Sequence, residues 1–165
     1  MKRRIINHWT AGGFTPNKVD FEHYHYLIDC GAKVYSGVFP VSANDDCKDG
    51  NYAAHTGGGN TMSIGVSVCG MAGFVSAQKP GQYKLTKIQV EKLFELNALL
   101  LQKEGWKEVT KENLLTHYEF GKLHPETTSA GKIDITFLPP YPDIKPDDVG
   151  NFIRNKSQWY LNKKV

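Results

Sequence analysis

Cysteine is scarce in this chain of 165 residues, with Cys30, Cys47 and Cys69 the only three. An odd count with no close pair speaks against a disulfide framework and offers no cysteine-based metal motif. Cys69 lies in an apolar run and reads as a small buried hydrophobe. No apolar stretch approaches the ~20 residues that a membrane-spanning helix needs, so no membrane partner is expected. The basic-then-apolar start, residues 1–6, breaks off at Asn7 and His8. That is too short for the core of an export signal. Charge of one sign is also in short supply. The net charge is +3 with histidines neutral, far from a nucleic-acid-binding profile and only weakly suited to an anionic polymer. Lys2, Arg3 and Arg4 at one end and Lys163 and Lys164 at the other read as solvated termini. Repeats and low-complexity segments are absent.

The pattern that is present predicts a single domain over residues 1–165, since the length suits one compact core better than two. Residues 3–7 read as a strand with His8 at its end, before a turn at Gly12 and Gly13. Residues 23–29 and 33–38 read as neighbouring strands around Gly31. On the first of these, Tyr24 and Tyr26 would share one face, with His23 and His25 on the other. Residues 45–60 form a polar, glycine-rich loop. In residues 63–69, Ile64, Val66 and Val68 alternate, which fits a buried central strand. Thr86 and Gln89 form a capping box. Val90, Leu93, Phe94, Asn97, Leu100 and Leu101 follow at helical spacing, and Gly105 closes the helix. Residues 113–119 form a short element, 121–131 a loop and 133–138 an extended segment. A last helix runs from Pro146, a favoured first-turn residue, to about Leu161. Alternating strands and helices argue for an α/β fold with a central mixed sheet flanked by helices.

Chemistry-bearing residues cluster at element ends. His8 ends the first strand and His117 the short element. Lys132 and Asp134 stand two apart in a segment read as extended, where i and i+2 share a face. Two histidines and a carboxylate suffice as protein ligands for a catalytic zinc with one position left open. By position alone, satisfied surface or core histidines are the more common reading. Gly57-Gly58-Gly59 lacks the lysine-serine pair and following helix of a phosphate loop. Trp9 reads first as packing beside the site.

Five segments, in order, resemble the zinc-dependent N-acetylmuramoyl-L-alanine amidases, the family of short phage lysozyme-amidases, bacterial amidases and peptidoglycan recognition proteins. They are Ile5-Ile6-Asn7-His8-Trp9-Thr10-Ala11-Gly12; His23-Tyr24-His25-Tyr26-Leu27-Ile28-Asp29 with Gly31-Ala32-Lys33-Val34-Tyr35; Ala53-Ala54-His55-Thr56-Gly57 with Asn60-Thr61-Met62-Ser63-Ile64-Gly65-Val66; Thr116-His117-Tyr118-Glu119; and Gly131-Lys132-Ile133-Asp134. The resemblance implies Zn2+ held by His8, His117 and Asp134. It implies Lys132 as the cation that stabilises the developing oxyanion and Tyr24 as the active-site tyrosine of the phage branch. His55, Trp9 and Asn60 would contact substrate. The implied reaction is hydrolysis of the amide between N-acetylmuramic acid and L-alanine in peptidoglycan. Two features depart from the pattern. Ser67 follows Ser63-Ile64-Gly65-Val66 where many bacterial members have a glutamate. The interval from His117 to Asp134 is long, which leaves His124 as a rival ligand; Glu119, two residues after His117, favours His117 and could orient it by hydrogen bonding. The further expectations are a monomer, made in a host cytoplasm without an export signal, that acts on the wall as a phage or prophage endolysin.

Overall fold

The structure, a computed structural model, describes residues 2–163. Five strands form one mixed sheet: β1 (Arg4–Trp9), β2 (Tyr26–Ile28), β3 (Val34–Ser36), β4 (Ser63–Val68) and β5 (Leu114–Thr116). Their order is β3-β2-β4-β1-β5, so β4 is central. β1 pairs in parallel with β4 and β5, β2 in parallel with β4, and only β2–β3 is antiparallel. The helices are α1 (Lys18–His23), α2 (Lys87–Lys103), α3 (His117–Leu123) and α4 (Val149–Lys163). Among the described residues, no helix is long and apolar enough to cross a membrane.

The two-residue period of a strand sends alternate side chains to opposite faces. One face of the sheet makes the main core. Ile5 and Trp9 of β1 and Ile64, Val66 and Val68 of β4 pack with Val90, Leu93, Phe94 and Leu101 of α2 and with Val149 and Ile153 of α4. The other face has only a small apolar cluster, Ile6, Leu115 and Phe120. The intervening positions on that face are His8, Ser63, Gly65 and Ser67. A sheet with one well-filled face and one sparsely apolar face leaves room on the second for a polar site.

Buried polar groups tie the layers in register, as they must if their desolvation is to be offset. Asn7 and Asn97 exchange reciprocal amide hydrogen bonds, both 2.9 Å, between β1 and α2. Gln89 donates to the carbonyls of Ile28 (2.9 Å) and Cys69 (2.8 Å), which fixes the start of α2 over the ends of β2 and β4. The expected Thr86–Gln89 capping box forms, and Gly105 takes a positive φ of 87° just beyond the helix. Arg154 of α4 reaches under β5 to grip both carboxylate oxygens of Glu119 at 2.8 Å. Gly150 makes this possible, because a Cβ there would overlap that carboxylate.

Several boundaries differ from the sequence reading. Residues 23–29 are not one strand. Asn17 and Asp20 form a capping box, which starts α1 and carries the helix through His23. The strand begins only at Tyr26, so the expected alternation of Tyr24 and Tyr26 against His23 and His25 fails. Local capping outweighs the aromatic β-propensity there. β3 is confined to Val34–Ser36 and β1 extends to Trp9. The loop expected at 121–131 starts later, because α3 runs to Leu123 with Gly121 inside it; a Cβ on Gly121 would overlap the Ser129 carbonyl. Residues 133–138 do not form a strand: 134–135 make a turn, 136 a bend, and the rest is irregular. The last helix opens as a 3-10 turn, Pro146–Asp148, and continues as α4.

Candidate metal centre

His8 and His117 come to the same point from different elements. His8 projects from β1 on the sparsely apolar face. His117 is the first residue of α3, directly after β5, its start fixed by the Thr116–Glu119 capping box. Asp134 arrives from the turn that follows Lys132, and the Tyr118 amide donates to its backbone carbonyl at 2.7 Å. The donor atoms form a tight triangle. His8 Nδ1 and His117 Nδ1 are 3.1 Å apart, and they lie 2.9 and 3.2 Å from Asp134 Oδ2. Ligands about 2.0–2.1 Å from a tetrahedral zinc stand about 3.3 Å from one another. The observed edges are slightly shorter, so the donor set and spacing fit a zinc-sized ion with little adjustment. These three residues are the described group of histidine, cysteine and acidic side chains that could hold a metal.

All three are buried: His8 is fully enclosed and Asp134 is 8% exposed. Burial pushes the His8 imidazole down to about 4, although its hydrogen bond to Asp134 acts the other way. Burial alone would raise the Asp134 carboxyl. Hydrogen bonds from His117 and His8 overcome this and hold it below the usual carboxylate range. A neutral imidazole and an ionised carboxylate are the forms in which these groups bind metal.

A cavity of about 430 Å³ opens above the triangle, lined among others by Tyr24, His55, His117, Lys132 and Asp134. Lys132 is exposed at its rim, with no carboxylate partner among the described residues. It shares the cavity with Asp134 through a turn, not through strand alternation. Tyr24 stands against His8 with ring centroids 5.2 Å apart. Burial, with the charge of Asp134 second, pushes its phenol well above the ordinary value. Ala11 and Met71, also on the cavity wall, have positive φ angles of 57° and 73°. Non-glycine residues in that region cost on the order of 1–3 kcal/mol and cluster at functional sites.

The other sequence-predicted residues are placed as follows. Trp9 is 4% exposed and packs on Phe74 at 5.0 Å, so it forms cavity wall and offers no open face for stacking. His55 is buried against His8, with His55 Nδ1 3.1 Å from His8 Nε2. Asn60 does not line the cavity. Its Oδ1 accepts from the backbone amides of His55 (2.9 Å) and Thr56 (2.8 Å) and so shapes the loop that carries His55. His124, the rival ligand, stacks on Phe120 at 4.5 Å and pairs with Glu126, away from the triangle. Glu119 makes no hydrogen bond to His117 among the described residues; it caps α3 and pairs with Arg154. Its carboxyl, which burial would raise, is held low by Arg154. The group that does hold His117 is Ser129, with Oγ 2.9 Å from His117 Nε2. A lone serine in a loop gave no sequence signal for this. Ser67 Oγ, where many relatives have the glutamate, is the one buried side-chain polar atom without a hydrogen-bond partner among the described residues.

Residues 2–132 match the family described as N-acetylmuramoyl-L-alanine amidase, Amidase_2. The match takes in His8, His117 and Lys132 and stops two residues before Asp134. No curated protein sequence matches. Among solved structures, a mutant of PlyL aligns with a TM-score of 0.55 at 19% identity, over 95% of this chain and 85% of PlyL. The amidase AmiD from E. coli, in complex with anhydro-N-acetylmuramic acid-L-Ala-D-gamma-Glu-L-Lys, aligns with a TM-score of 0.54 at 16% identity. That alignment covers 94% of this chain and 57% of AmiD. Drosophila peptidoglycan recognition protein SD aligns at 0.48 and 21% identity, over 70% of this chain and 69% of its own. At these identities the two higher scores speak for the fold, and the sequence match over residues 2–132 speaks for the lineage: the chain belongs to the N-acetylmuramoyl-L-alanine amidase family.

Proposed function

We propose that this chain is a zinc-dependent amidase that hydrolyses the bond between the lactyl group of N-acetylmuramic acid and L-alanine in peptidoglycan. The observation that carries this reading is the triangle of His8, His117 and Asp134 donor atoms, 2.9–3.2 Å on a side, at the floor of a cavity that also holds Lys132 and Tyr24. A bound zinc would supply a water of pKa about 7 and polarise the scissile carbonyl. The chain's own residues do the rest. Lys132 sets an unpaired cation where the oxyanion develops, a type of term that often dominates catalysis. Tyr24 offers a hydroxyl to the attacking water or to that oxyanion. Trp9 and Met71 close the wall and limit the access of bulk water. The setting of a phage or prophage endolysin, made in the host cytoplasm and acting on the wall, belongs to the same proposal; export of the protein expressed alone would contradict it.

Mass analysis of digested peptidoglycan tests the activity. Stem peptides with a new alanine amine, intact glycan, loss with chelator and return with zinc are expected. Cut glycan would refute the reading. A second reading is favoured by Ser67: without the glutamate, the site could bind wall fragments and not cut them, as a recognition module. Bound zinc with tight wall binding and no product would select it. The muropeptide complex of AmiD supports small soluble fragments as a further substrate class, which comparison of sacculi with muropeptides separates.

A further inference from the structure

We infer that the groove beyond Phe74 and Ile133 is a glycan subsite, which seats the uncharged N-acetylated sugar next to the muramic acid that carries the scissile amide. The inference rests on the reading of the chain as a peptidoglycan amidase and adds which part of the substrate is gripped, a run of sugars. A second cavity, of about 550 Å³, lies against the metal cavity and shares Phe74 and Ile133 with it. These two side chains form the ridge between the cavities. A substrate whose reacting amide sits over the triangle can cross that ridge and stay on the protein surface.

Two anchored turns wall the groove. In residues 74–79, the Val75 amide donates to the Lys79 carbonyl at 2.9 Å, and Ser76 and Lys79 exchange backbone hydrogen bonds of 3.2 and 3.0 Å. In the second wall, the Tyr141 amide donates to the Leu138 carbonyl at 2.8 Å and the Ile144 amide to the Tyr141 carbonyl at 3.2 Å. The Tyr141 hydroxyl ties this wall to α2 through Glu91, at 2.9 Å. Tyr118 of α3 also borders the groove. Its hydroxyl donates to Asp147, and Lys122 Nζ donates to both partners at 3.1 Å. A groove formed in this way before a ligand arrives spares the cost of ordering it. The wall of residues 133–146 lies beyond the stretch that matches the family, residues 2–132.

The chemistry of the lining selects the occupant. Phe74, stacked on the buried Phe137 with ring centroids 6.0 Å apart and planes at 24°, joins Val75, Ile133 and Ile144 in an apolar surface. Val75 is 72% exposed and Ile133 48%; contiguous exposed apolar surface of this kind marks a binding site. Ser76, Gln78 and Thr136 add uncharged polar groups, and the charged side chains, Asp143 and Lys145, are one of each sign and exposed. The two sides of the scissile amide differ in what they could place here. Beyond its first alanine the stem peptide carries carboxylates and amines, and charge set against aliphatic walls without partners is unfavourable. The sugar side is uncharged. Each ring offers a C–H face, an acetamide methyl and hydroxyls, which suit an aromatic and aliphatic groove with a few hydrogen-bonding groups.

The test is NMR of the full chain titrated with the tetramer of N-acetylglucosamine, a β-1,4 sugar chain without peptide, beside hydrolysis of muramoyl peptides that carry one sugar or four. The tetramer is expected to shift the signals of Phe74, Val75, Ile133 and Ile144. In the wild type, kcat/KM is expected to rise roughly tenfold or more from one sugar to four, because contacts remote from the reacting bond can be spent on the transition state. Val75→Asp, at an exposed position that leaves the core untouched, is expected to abolish the shifts and most of that rise. No shift at these residues, or equal kcat/KM on one sugar and four, overturns the inference. Free stem tetrapeptide shifting them in the tetramer's place gives the groove to the peptide and overturns it as well. Tetramer bound at Val75 in protein that cuts nothing refutes the proposed function alone; amidase products with no tetramer binding and no effect of chain length refute this inference alone.

Discussion

Replacing Arg154 by methionine should unsettle the metal centre from the far side of the sheet. Arg154 is 8% exposed. Its guanidinium donates to both Glu119 oxygens at 2.8 Å, to the Leu114 carbonyl at 3.1 Å and to Asn151 at 2.7 Å. Glu119 in turn accepts from the Thr116 amide at 3.0 Å, immediately before His117. Arg154→Met leaves a buried carboxylate whose remaining cation, Lys111, stands 3.7 Å away and half exposed. Breaking one side of a buried pair costs about 3–5 kcal/mol, which for a chain of this size lowers the unfolding midpoint by roughly 6–20 °C. The pH dependence carries a definite sign. In the wild type the Glu119 carboxyl is held below its ordinary 4.5, so its contribution is present above about pH 4.5 and is lost as pH falls through the folded value. Without Arg154, burial raises that carboxyl, and the deficit of the variant should shrink as pH approaches 4. Adding Glu119→Gln, which keeps an acceptor for Thr116 and removes the charge, should recover much of the loss at pH 7. Urea unfolding of the wild type, single and double variants checks this. A loss below about 1 kcal/mol, the scale of a surface pair, or no recovery in the double variant, refutes the reasoning.

Three other perturbations have defined outcomes. Burial pushes His25 down to about 4 in a site where Asn44 and the Gly65 amide hold its ring; its folded value lies below the unfolded ~6.5, so the stability is present above 6.5 and lost toward pH 4. The loss is about 2 kcal/mol at pH 5, and His25→Gln should flatten that part of the urea stability profile. Asp134→Asn should lose zinc by equilibrium dialysis and activity together, whereas Lys132→Ala should keep zinc and lose on the order of 10²–10³ in rate on peptidoglycan; full activity of Lys132→Ala would remove it from the oxyanion role. Gly65→Ala, which sets a Cβ 2.6 Å from the His55 ring, should force that ring aside, at a cost of about 1–3 kcal/mol, and weaken zinc with it; unchanged melting and zinc binding would show that the ring yields freely.

The sequence by itself determined the elements whose pattern is written locally. Alternation in residues 63–69 marked β4 as central, the Thr86–Gln89 box started α2, and Pro146 opened the last helix, because periodicity and capping are short-range properties. Five ordered segments pointed to the family, and that resemblance implied His8, His117 and Asp134 as a donor set. Tertiary structure decided what proximity alone can decide. It separated His117 from His124: the sequence interval suited His124, the acidic neighbour suited His117, and only the His117 ring meets Asp134. It moved Asn60 from substrate contact to loop support and gave Glu119 to Arg154, a residue 35 positions away that no local pattern connects to it. It also supplied Ser129 as the partner of His117. Hydrogen bonds between distant loops leave no periodic trace in a chain, so only the folded arrangement reveals which serine faces which ring.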